Sequence, residues 1–267
     1  MLCAICQQNR WRTNGVLTDK CCSCGFVKAK DQYFLGDFNK IYSDQYYQLG
    51  DYYNYRDEEQ ALKRNFRNRL NKIRSYKNSG NLLDIGCGYG FFLEEAKTYY
   101  NVLGVERNPE LAEKISGRLN LPVKGGDFSK TFFDKNFDVI TAFDVVEHVP
   151  DPRIFVQKCR QINNDGGMLF LETGDINSVL ATIQKESWRL VNPPEHLNYF
   201  SVKTLTTLLE KSGYEVIFVE RVNFWRSLRQ IVFRGLHLSA KIIPYVPNVT
   251  IPLNTLDIIF IGARTKN

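Results

Sequence analysis

The chain has 267 residues, with 35 lysines and arginines against 29 aspartates and glutamates, which gives a formal net charge of +6. A hydrophobic content of 43% is enough for a folded core and excludes a wholly disordered chain. No apolar run approaches the ~20 residues of a membrane-spanning helix, and the first residues lack the apolar core of a secretory signal. We therefore expect a cytoplasmic protein with one large domain and a small appendage.

Five of the seven cysteines lie in the first 24 residues. They include two pairs of the same two-residue spacing, Cys3 with Cys6 and Cys21 with Cys24. Each pair can offer two thiolates from one tight turn, as tetrahedral Zn²⁺ requires. Because four thiolates leave no open coordination position, the spacing predicts a structural zinc site in a zinc-ribbon-like segment, residues 1–30. The alternatives are a redox pair and the replacement of one ligand by the surplus thiol of Cys22.

Residues 31–78 link this segment to the rest of the chain. Their first part is rich in tyrosine and phenylalanine, and we expect it to pack on the main domain as a linker or to lie over a ligand site as a lid. Residues 57–77 place apolar side chains at helical spacing, which predicts an amphipathic helix. Its basic residues fit a solvated face better than an RNA-binding groove. They are Lys63, Arg64, Arg67, Arg69, Lys72 and Arg74.

From residue 79 onward, strand-like and helix-like segments alternate. A buried strand runs into Gly86, Gly88 and Gly90, and a helical segment follows. Glycines at such a turn let the backbone approach a ligand, and the N–H groups at the start of the helix face it. The next strand ends at Glu106, whose carboxylate can accept hydrogen bonds from ribose hydroxyls. The alternation predicts an α/β domain over residues 79–267 with a ligand site at the carboxyl ends of its strands.

Four motifs follow one another in this domain. They are LDIGCGYG, an acidic residue at the end of the next strand, Gly-Asp-Phe after the third strand, and FDVITAFDVVEHVPDP. In this order they resemble the class I S-adenosylmethionine-dependent methyltransferases. The resemblance implies a Rossmann-like seven-stranded sheet whose last strand is antiparallel, with S-adenosylmethionine (SAM) as cofactor and S-adenosylhomocysteine (SAH) as product. A nicotinamide enzyme would instead carry G-x-G-x-x-G.

The resemblance also implies the cofactor contacts, residue by residue. The glycine loop and Asp84 would hold the methionine part, and Glu106 would hold the ribose hydroxyls. Asp127 would accept from the adenine amine while Phe128 packs on the ring, and Phe143 would line the sulfonium side. The full predicted set is Asp84, Gly86, Cys87, Gly88, Gly90, Glu106, Arg107, Asp127, Phe128 and Phe143.

Methyl transfer is an in-line displacement, and an oxygen or nitrogen acceptor also needs a base for its proton. His148 follows the fourth strand, at the carboxyl edge of the predicted sheet. His196 stands in NPPEHLNYFS, which resembles the segment bordering the acceptor pocket in ubiquinone-type O-methyltransferases and in enzymes of polysaccharide gene clusters. We therefore expect His148, His196 and Glu147 at the reaction centre, and His237 at the surface.

The spacing Asp144-x-x-Glu147-His148 resembles the acidic-acidic-His cluster that binds a divalent metal in the ubiquinone O-methyltransferases. A metal here could lower the pKa of an acceptor hydroxyl. The first position is Asp where those enzymes carry Glu, which shortens its reach. The alternative is that Glu147 and His148 cap and orient the following loop.

An insertion over about residues 225–253 separates the last two long strands. It contains a helical pattern with leucine, isoleucine and valine on one side and arginines elsewhere. Such a helix could contact an anionic membrane surface through residues 225–243, wall the acceptor pocket, form a dimer contact or pack on its own domain.

Three functions compete. The leading hypothesis is methyl transfer to a small polar molecule, above all a sugar or glycan precursor of surface-polysaccharide or natural-product biosynthesis, because a cysteine ribbon joined to this domain resembles sugar-modifying methyltransferases. The second is an rRNA methyltransferase with an N-terminal zinc finger, but the modest charge and the lack of N/D-P-P-[YF] after the fourth strand disfavour a nucleic-acid partner. The third is a non-catalytic SAM-binding scaffold. The acceptor atom and the oligomeric state stay open.

Overall fold

The computed structural model describes residues 1–35, 55–236 and 245–266. The strands are β1 (Trp11–Thr13), β2 (Thr18–Cys21), β3 (Val27–Ala29), β4 (Asn81–Ile85), β5 (Asn101–Glu106), β6 (Val123–Gly125), β7 (Phe137–Phe143), β8 (Asn163–Gly174), β9 (Asn198–Tyr199), β10 (Tyr214–Arg221), β11 (Phe224–Ser227), β12 (Thr250–Leu253) and β13 (Ile258–Thr265). The α-helices are α1 (Tyr55–Arg74), α2 (Phe91–Ala96), α3 (Pro109–Leu119), α4 (Pro152–Ile162), α5 (Val179–Gln184), α6 (Val202–Lys211) and α7 (Leu228–Leu236). None of the helices in these ranges has the length and apolar character needed to cross a bilayer. Most of the tyrosine-rich stretch, the C-terminal part of the predicted membrane-contact segment and His237 fall outside the described residues.

Seven of the described strands form the central sheet, in the order β10-β13-β8-β7-β4-β5-β6. The run from β8 to β6 is parallel, whereas β13 is antiparallel to both of its neighbours. The predicted Rossmann-like sheet with an antiparallel last strand is therefore confirmed. Its inner strands carry fully buried side chains such as Leu83 and Ile140, as expected for parallel strands covered by helices on both faces.

Short polar side chains cap the N-termini of three helices and so fix the residue at which each helix begins. Asn108 caps α3 by accepting two backbone N–H bonds, with a proline at the next position, and Asp151 caps α4 in the same way. Ser201 caps α6 and exchanges hydrogen bonds with Thr204 in a capping box. These caps fix the loops that follow the strands, and those loops carry the predicted site residues.

The cysteine segment forms a small antiparallel sheet that continues into the α/β domain. Strand β3 pairs with β9, so the sheet order is β1-β2-β3-β9. Ile5 and Phe26 are buried in the same hydrophobic core as Phe200, and the ring centroids of Phe26 and Phe200 are 5.4 Å apart. The ribbon, as we call residues 1–30, therefore shares a core with the large domain.

Helix α1 lies against α2 and β11. The expectation of a solvated basic face is wrong for Arg69, which is only 5% exposed and donates to the carboxylate of Glu172 on β8. Other basic residues of this helix also form ion pairs with glutamates. These are Lys63 with Glu59 and Glu94, Arg67 with Glu95, and Lys72 with Glu220. Charge pairing therefore attaches α1 to several neighbouring elements.

The capping box of α6 gives a first prediction. Ser201→Ala removes the oxygen that accepts the Thr204 N–H, and we expect the free energy of unfolding to fall by about 1 kcal/mol. Urea denaturation followed by circular dichroism measures this loss as a lower midpoint at unchanged slope. The control is Thr207→Ala, which removes an exposed hydroxyl from the same helix. Equal free energies of unfolding for the two variants would contradict a stabilising cap.

Candidate active site

A cavity of about 530 Å³ opens at the carboxyl edge of the central sheet, a volume typical of small-molecule sites. Residues of β4, β5, β7 and β8 line it together with residues of α1 and β11. The sequence-predicted residues that line it are Asp84, Gly86, Cys87, Gly88, Glu106, Arg107, Asp127, Phe128, Phe143, Asp144, Glu147, His148 and His196. Motifs spread over more than a hundred residues thus meet in one cavity.

The glycine loop after β4 owes its shape to left-handed backbone angles. Gly86 and Gly88 have φ values of +72° and +50°, which cost little for glycine alone. Gly90, predicted as a cofactor contact, is not among the residues that line the cavity. A Cβ at Gly90 would lie 2.7 and 2.8 Å from side-chain atoms of α3. Packing against α3 therefore favours glycine at this position, and the cofactor contact of Gly90 stays a prediction.

Glu106 ends β5 and is 2% exposed. One of its carboxylate oxygens accepts the Gly88 N–H at 2.9 Å, and the other accepts the Asn108 N–H at 3.0 Å. These bonds hold the carboxylate at the junction of two loops. Since a carboxylate has about four acceptor sites, it can also accept hydrogen bonds from the two hydroxyls of a ribose.

Asp84 lies buried beneath the glycine loop. Its carboxylate accepts a hydrogen bond from the Thr141 hydroxyl at 2.7 Å. Burial raises the pKa of Asp84 to about 7, and the nearby Glu106 adds to the rise, while the bond from Thr141 opposes it. Two acidic side chains therefore adjoin the loop, an environment that suits a cationic ligand.

The turn after β6 holds the expected adenine contacts. Asp127 accepts the backbone N–H of Ser129 at 2.8 Å and so caps a short 3-10 turn. Lys158 of α4 donates from its ammonium group to three carbonyl oxygens of this turn, at 2.6 to 2.9 Å. Sequence reasoning missed Lys158, because its partners are backbone oxygens that leave no trace in the side-chain pattern.

The opposite end of the cavity holds two imidazoles packed edge to face, with the ring centroids of His148 and His196 4.5 Å apart. Nδ1 of His148 lies 2.8 Å from the carbonyl oxygen of Glu195, and Nδ1 of His196 lies 2.7 Å from that of Leu190. A carbonyl oxygen can only accept, so in the neutral rings each Nδ1 carries the proton. The lone pair of each ring is then on Nε2.

Electrostatics favour neutral side chains at this end. Burial lowers the pKa of His148 to about 3, and His196 adds to the effect. Burial also raises the pKa of Glu147 well above its usual value, with Asp144 as the second cause. Within the described part of the chain, Oε2 of Glu147 is buried without a hydrogen-bond partner. Such an atom has lost its hydration with no direct compensation.

Glu147, His148 and His196 each bring one potential ligand atom within 4.8 Å of the other two. The group shares Glu147 and His148 with the predicted metal set and has His196 in place of Asp144. A carboxylate and two imidazoles suit a transition metal such as Zn²⁺ better than Mg²⁺. The three residues could hold such an ion, and it would give the unpartnered oxygen of Glu147 a ligand.

Among the described residues, three arginines of the cavity wall were not predicted as site residues. The pairs they form are Arg69 with Glu172, Arg189 with Asp257, and Arg226 with Glu58. Asp144 lies near them; burial and Glu172 raise its pKa to about 7, and the arginines oppose that rise. The wall is therefore rich in charged groups of both signs. Its arginines come from distant parts of the chain, so no spacing in the sequence indicates that they lie in one cavity.

In the ribbon, the Sγ atoms of Cys3, Cys6, Cys21 and Cys24 lie within 4.8 Å of one another. Two of the separations are 3.5 Å, between Cys3 and Cys24, and 3.6 Å, between Cys6 and Cys21. Thiolates bound tetrahedrally to zinc at ~2.3 Å are about 3.8 Å apart. The side chain of Cys22 is exposed and is not in the group. The four predicted cysteines thus fit a structural zinc ion.

Comparison of the sequence with known proteins identifies the family to which the chain is similar. Residues 54–219 match the family model described as a methyltransferase domain. The ubiquinone biosynthesis O-methyltransferase of Actinobacillus pleuropneumoniae serotype 7 is 33% identical over an alignment of 107 residues, and the match covers 34% of this chain and 44% of that protein. The protein of the same name from Leptothrix cholodnii is 35% identical over 101 residues, with coverages of 34% and 43%. The chain spans less than half the length of these relatives.

Solved structures share the fold at low sequence identity. The SAM-bound amino pentose methyltransferase of Micromonospora echinaspora is 17% identical with a TM-score of 0.53, and the match covers 79% of this chain and 94% of that one. The magnesium protoporphyrin IX methyltransferase of Synechocystis PCC 6803, with bound SAH, is 12% identical with a TM-score of 0.55, and the coverages are 86% and 93%.

The position of Glu106 predicts its effect on cofactor affinity. Glu106→Ala should weaken SAH binding by at least about tenfold, because a hydrogen bond to a charged group contributes about 1.5–3 kcal/mol. Isothermal titration calorimetry measures the dissociation constant. Glu110→Ala, an exposed glutamate on α3, is the matched control and should bind like the wild type. Unchanged affinity of Glu106→Ala would contradict the predicted ribose contact.

The raised pKa of Asp84 predicts a pH dependence of SAM binding. Below pH 7 the neutral carboxyl predominates, and above pH 7 the carboxylate attracts the cationic ligand. Affinity should therefore increase as the pH rises through about 7 and decrease as it falls. Fluorescence titrations between about pH 5.5 and 8.5 would follow this step, which Asp84→Asn should abolish. An identical step in Asp84→Asn would point to Asp144 instead.

The family match covers more than half of the chain, and the sheet order, the glycine loop and the acidic end of β5 agree with it. The chain therefore belongs to the methyltransferase-domain family, as a class I S-adenosylmethionine-dependent methyltransferase.

Proposed function

We propose that this protein transfers the methyl group of SAM to a hydroxyl oxygen of a small polar acceptor, with a sugar or glycan precursor as the substrate class. The observation that carries the proposal is the polar wall at the acceptor end of the cavity. Two imidazoles, carboxyl groups and ion-paired arginines line that end. A polyhydroxylated molecule can satisfy such groups, whereas an apolar molecule would leave them unpaired.

Similarity to ubiquinone biosynthesis O-methyltransferases supports oxygen as the accepting atom. Phe128 and Phe143 also line the cavity and give it apolar surface. That surface supports the expected packing of Phe128 on the adenine ring and of Phe143 on the sulfonium side of the cofactor. When bound, SAM supplies an electrophilic methyl group on a sulfonium. The new C–O bond forms as the S–C bond breaks, and the hydroxyl proton must go to a base.

We infer that His196 is the base, a role in which its Nε2 binds the proton and no metal ion. Its Nδ1–H is directed at the Leu190 carbonyl, so its Nε2 can take the proton. His148 has the same orientation toward a carbonyl, but a pKa of about 3 makes it a weak base near pH 7. We assign to His148 the acceptance of a hydrogen bond that orients the substrate, and to Glu147 a similar orienting contact.

A direct test incubates the protein with methyl-deuterated SAM and a panel of acceptors, followed by mass spectrometry. The panel contains nucleotide-linked sugars, free sugars and a polyprenylated phenol. We expect the labelled methyl group on a sugar hydroxyl. Transfer to the phenol alone would contradict the proposed substrate class, and absence of transfer to the whole panel would contradict the proposed activity.

The inferred base gives a further prediction. His196→Ala should lower kcat by about 10²- to 10⁴-fold, the usual contribution of general base catalysis, with SAH affinity within about twofold of the wild type. Stopped assays with the labelled acceptor measure kcat. The matched control is Asn192→Ala, an exposed side chain of the same segment, which should keep wild-type turnover. A normal kcat in His196→Ala would exclude this residue as the base.

A further inference from the structure

The segment that carries His196 is held from behind by the ribbon. Strand β9 begins two residues after His196 and pairs with β3, and the Leu197 carbonyl accepts the Ala29 N–H at 2.8 Å. On its other side, the Leu197 N–H donates to the Glu147 carbonyl at 2.8 Å. His196 is therefore directly followed by a backbone segment that lies between the ribbon and the loop of Glu147 and His148.

Side chains reinforce this contact. Val27, Ala29, Leu197 and Tyr199 form a small buried cluster between β3 and β9. The Tyr199 hydroxyl donates to the carbonyl oxygen of His196 at 2.8 Å. The backbone of the histidine is thus fixed by a side chain whose ring packs on the ribbon.

Glu186 attaches the opposite end of the ribbon to the large domain. Its carboxylate accepts the backbone N–H groups of Val16, Leu17 and Thr18 at 2.7, 2.7 and 3.1 Å. Hydrogen bonds to a charged acceptor are stronger than neutral ones. A Cβ on Gly15 would lie 2.2 Å from Cδ of Glu186, so the turn between β1 and β2 is shaped for this carboxylate.

The position of β3 depends on the cysteine cluster. Cys21 ends β2, and its N–H donates to the Phe26 carbonyl at 2.8 Å, one residue before β3 begins. Cys24 lies in the turn between the two strands. A metal bound by both cysteines would fix this turn, and segments of this size usually depend on such a metal for their structure.

We propose that the metal-bound ribbon positions His196 at the acceptor end of the cavity, so that loss of the ribbon metal disables methyl transfer and leaves cofactor binding intact. The cofactor end is built on β4 and β5, whose hydrogen-bonded neighbours are strands of the central sheet. The role of His196 in transfer rests on the proposed function, whereas the mechanical link between ribbon and segment does not.

The experiment compares two cysteine variants of the full chain. Cys24→Ser removes a member of the cluster, and Cys22→Ser, the control, removes the exposed neighbouring thiol. Zinc content is measured by mass spectrometry, SAH affinity by calorimetry, and exchange of individual amide hydrogens by NMR. Cys24→Ser should lose the metal, and its Leu197 and Asn198 amide hydrogens should exchange at least about tenfold faster than in the wild type. Its kcat should fall at least about tenfold, while its SAH affinity should stay unchanged. Cys22→Ser should match the wild type in all four.

Several results would overturn the proposal. One is wild-type protection of the Leu197 and Asn198 amides in metal-free Cys24→Ser, and another is a kcat equal to that of Cys22→Ser. A parallel loss of SAH affinity would show that the metal supports the whole domain instead of the acceptor end. Absence of transfer in the wild type would count against the proposed function alone, since exchange and SAH binding need no acceptor.

Glu186→Ala tests the same link with the cysteine cluster intact, and it decides the matter if Cys24→Ser does not fold. This variant should retain zinc and bind SAH like the wild type. The Leu197 and Asn198 amides should exchange several-fold faster, and kcat should fall while the KM for SAM stays the same. Wild-type exchange rates in Glu186→Ala would overturn the proposal.

Discussion

The backbone carbonyl of Glu147 joins the two halves of the candidate reaction centre. It accepts the N–H groups of Leu197 and Asn198 at 2.8 and 3.0 Å. The loop after β7 and the segment before β9 are thereby held side by side, although they are about fifty residues apart in sequence. The edge-to-face contact of His148 with His196 depends on this junction. Because backbone atoms make it, side-chain substitutions at either histidine leave it in place.

The cofactor half of the site could be predicted because its geometry is local. A strand, a glycine turn and a helix start occupy adjacent stretches of sequence, and parallel strands must end at one edge of the sheet. Glu106 and Asp84 could therefore be located near one cavity before any coordinates were known. Gly90 shows the limit of such reasoning, since the motif cannot tell a glycine needed for ligand approach from one needed for packing against α3.

The acceptor half could be predicted only in part. His148 and His196 were both expected there, but their mutual contact and the exchange of Asp144 for His196 in the possible ligand group depend on tertiary structure. Arg69 was expected in solvent because helical periodicity does not reveal an ion-pair partner 103 residues away. The docking of the ribbon had no sequence signal either, because the pairing of β3 with β9 and the bonds of Glu186 to Val16, Leu17 and Thr18 join residues far apart in the chain.

The pairing of β3 with β9 also has a consequence for biosynthesis. Glu186 is 168 residues beyond its partner Thr18, so the ribbon leaves the ribosome on the order of 10 s before its docking surface is made. During that time the β3 edge has no strand to pair with, and an unpaired edge can recruit other chains. Early metal capture by the cysteines would keep the nascent ribbon folded until β9 emerges.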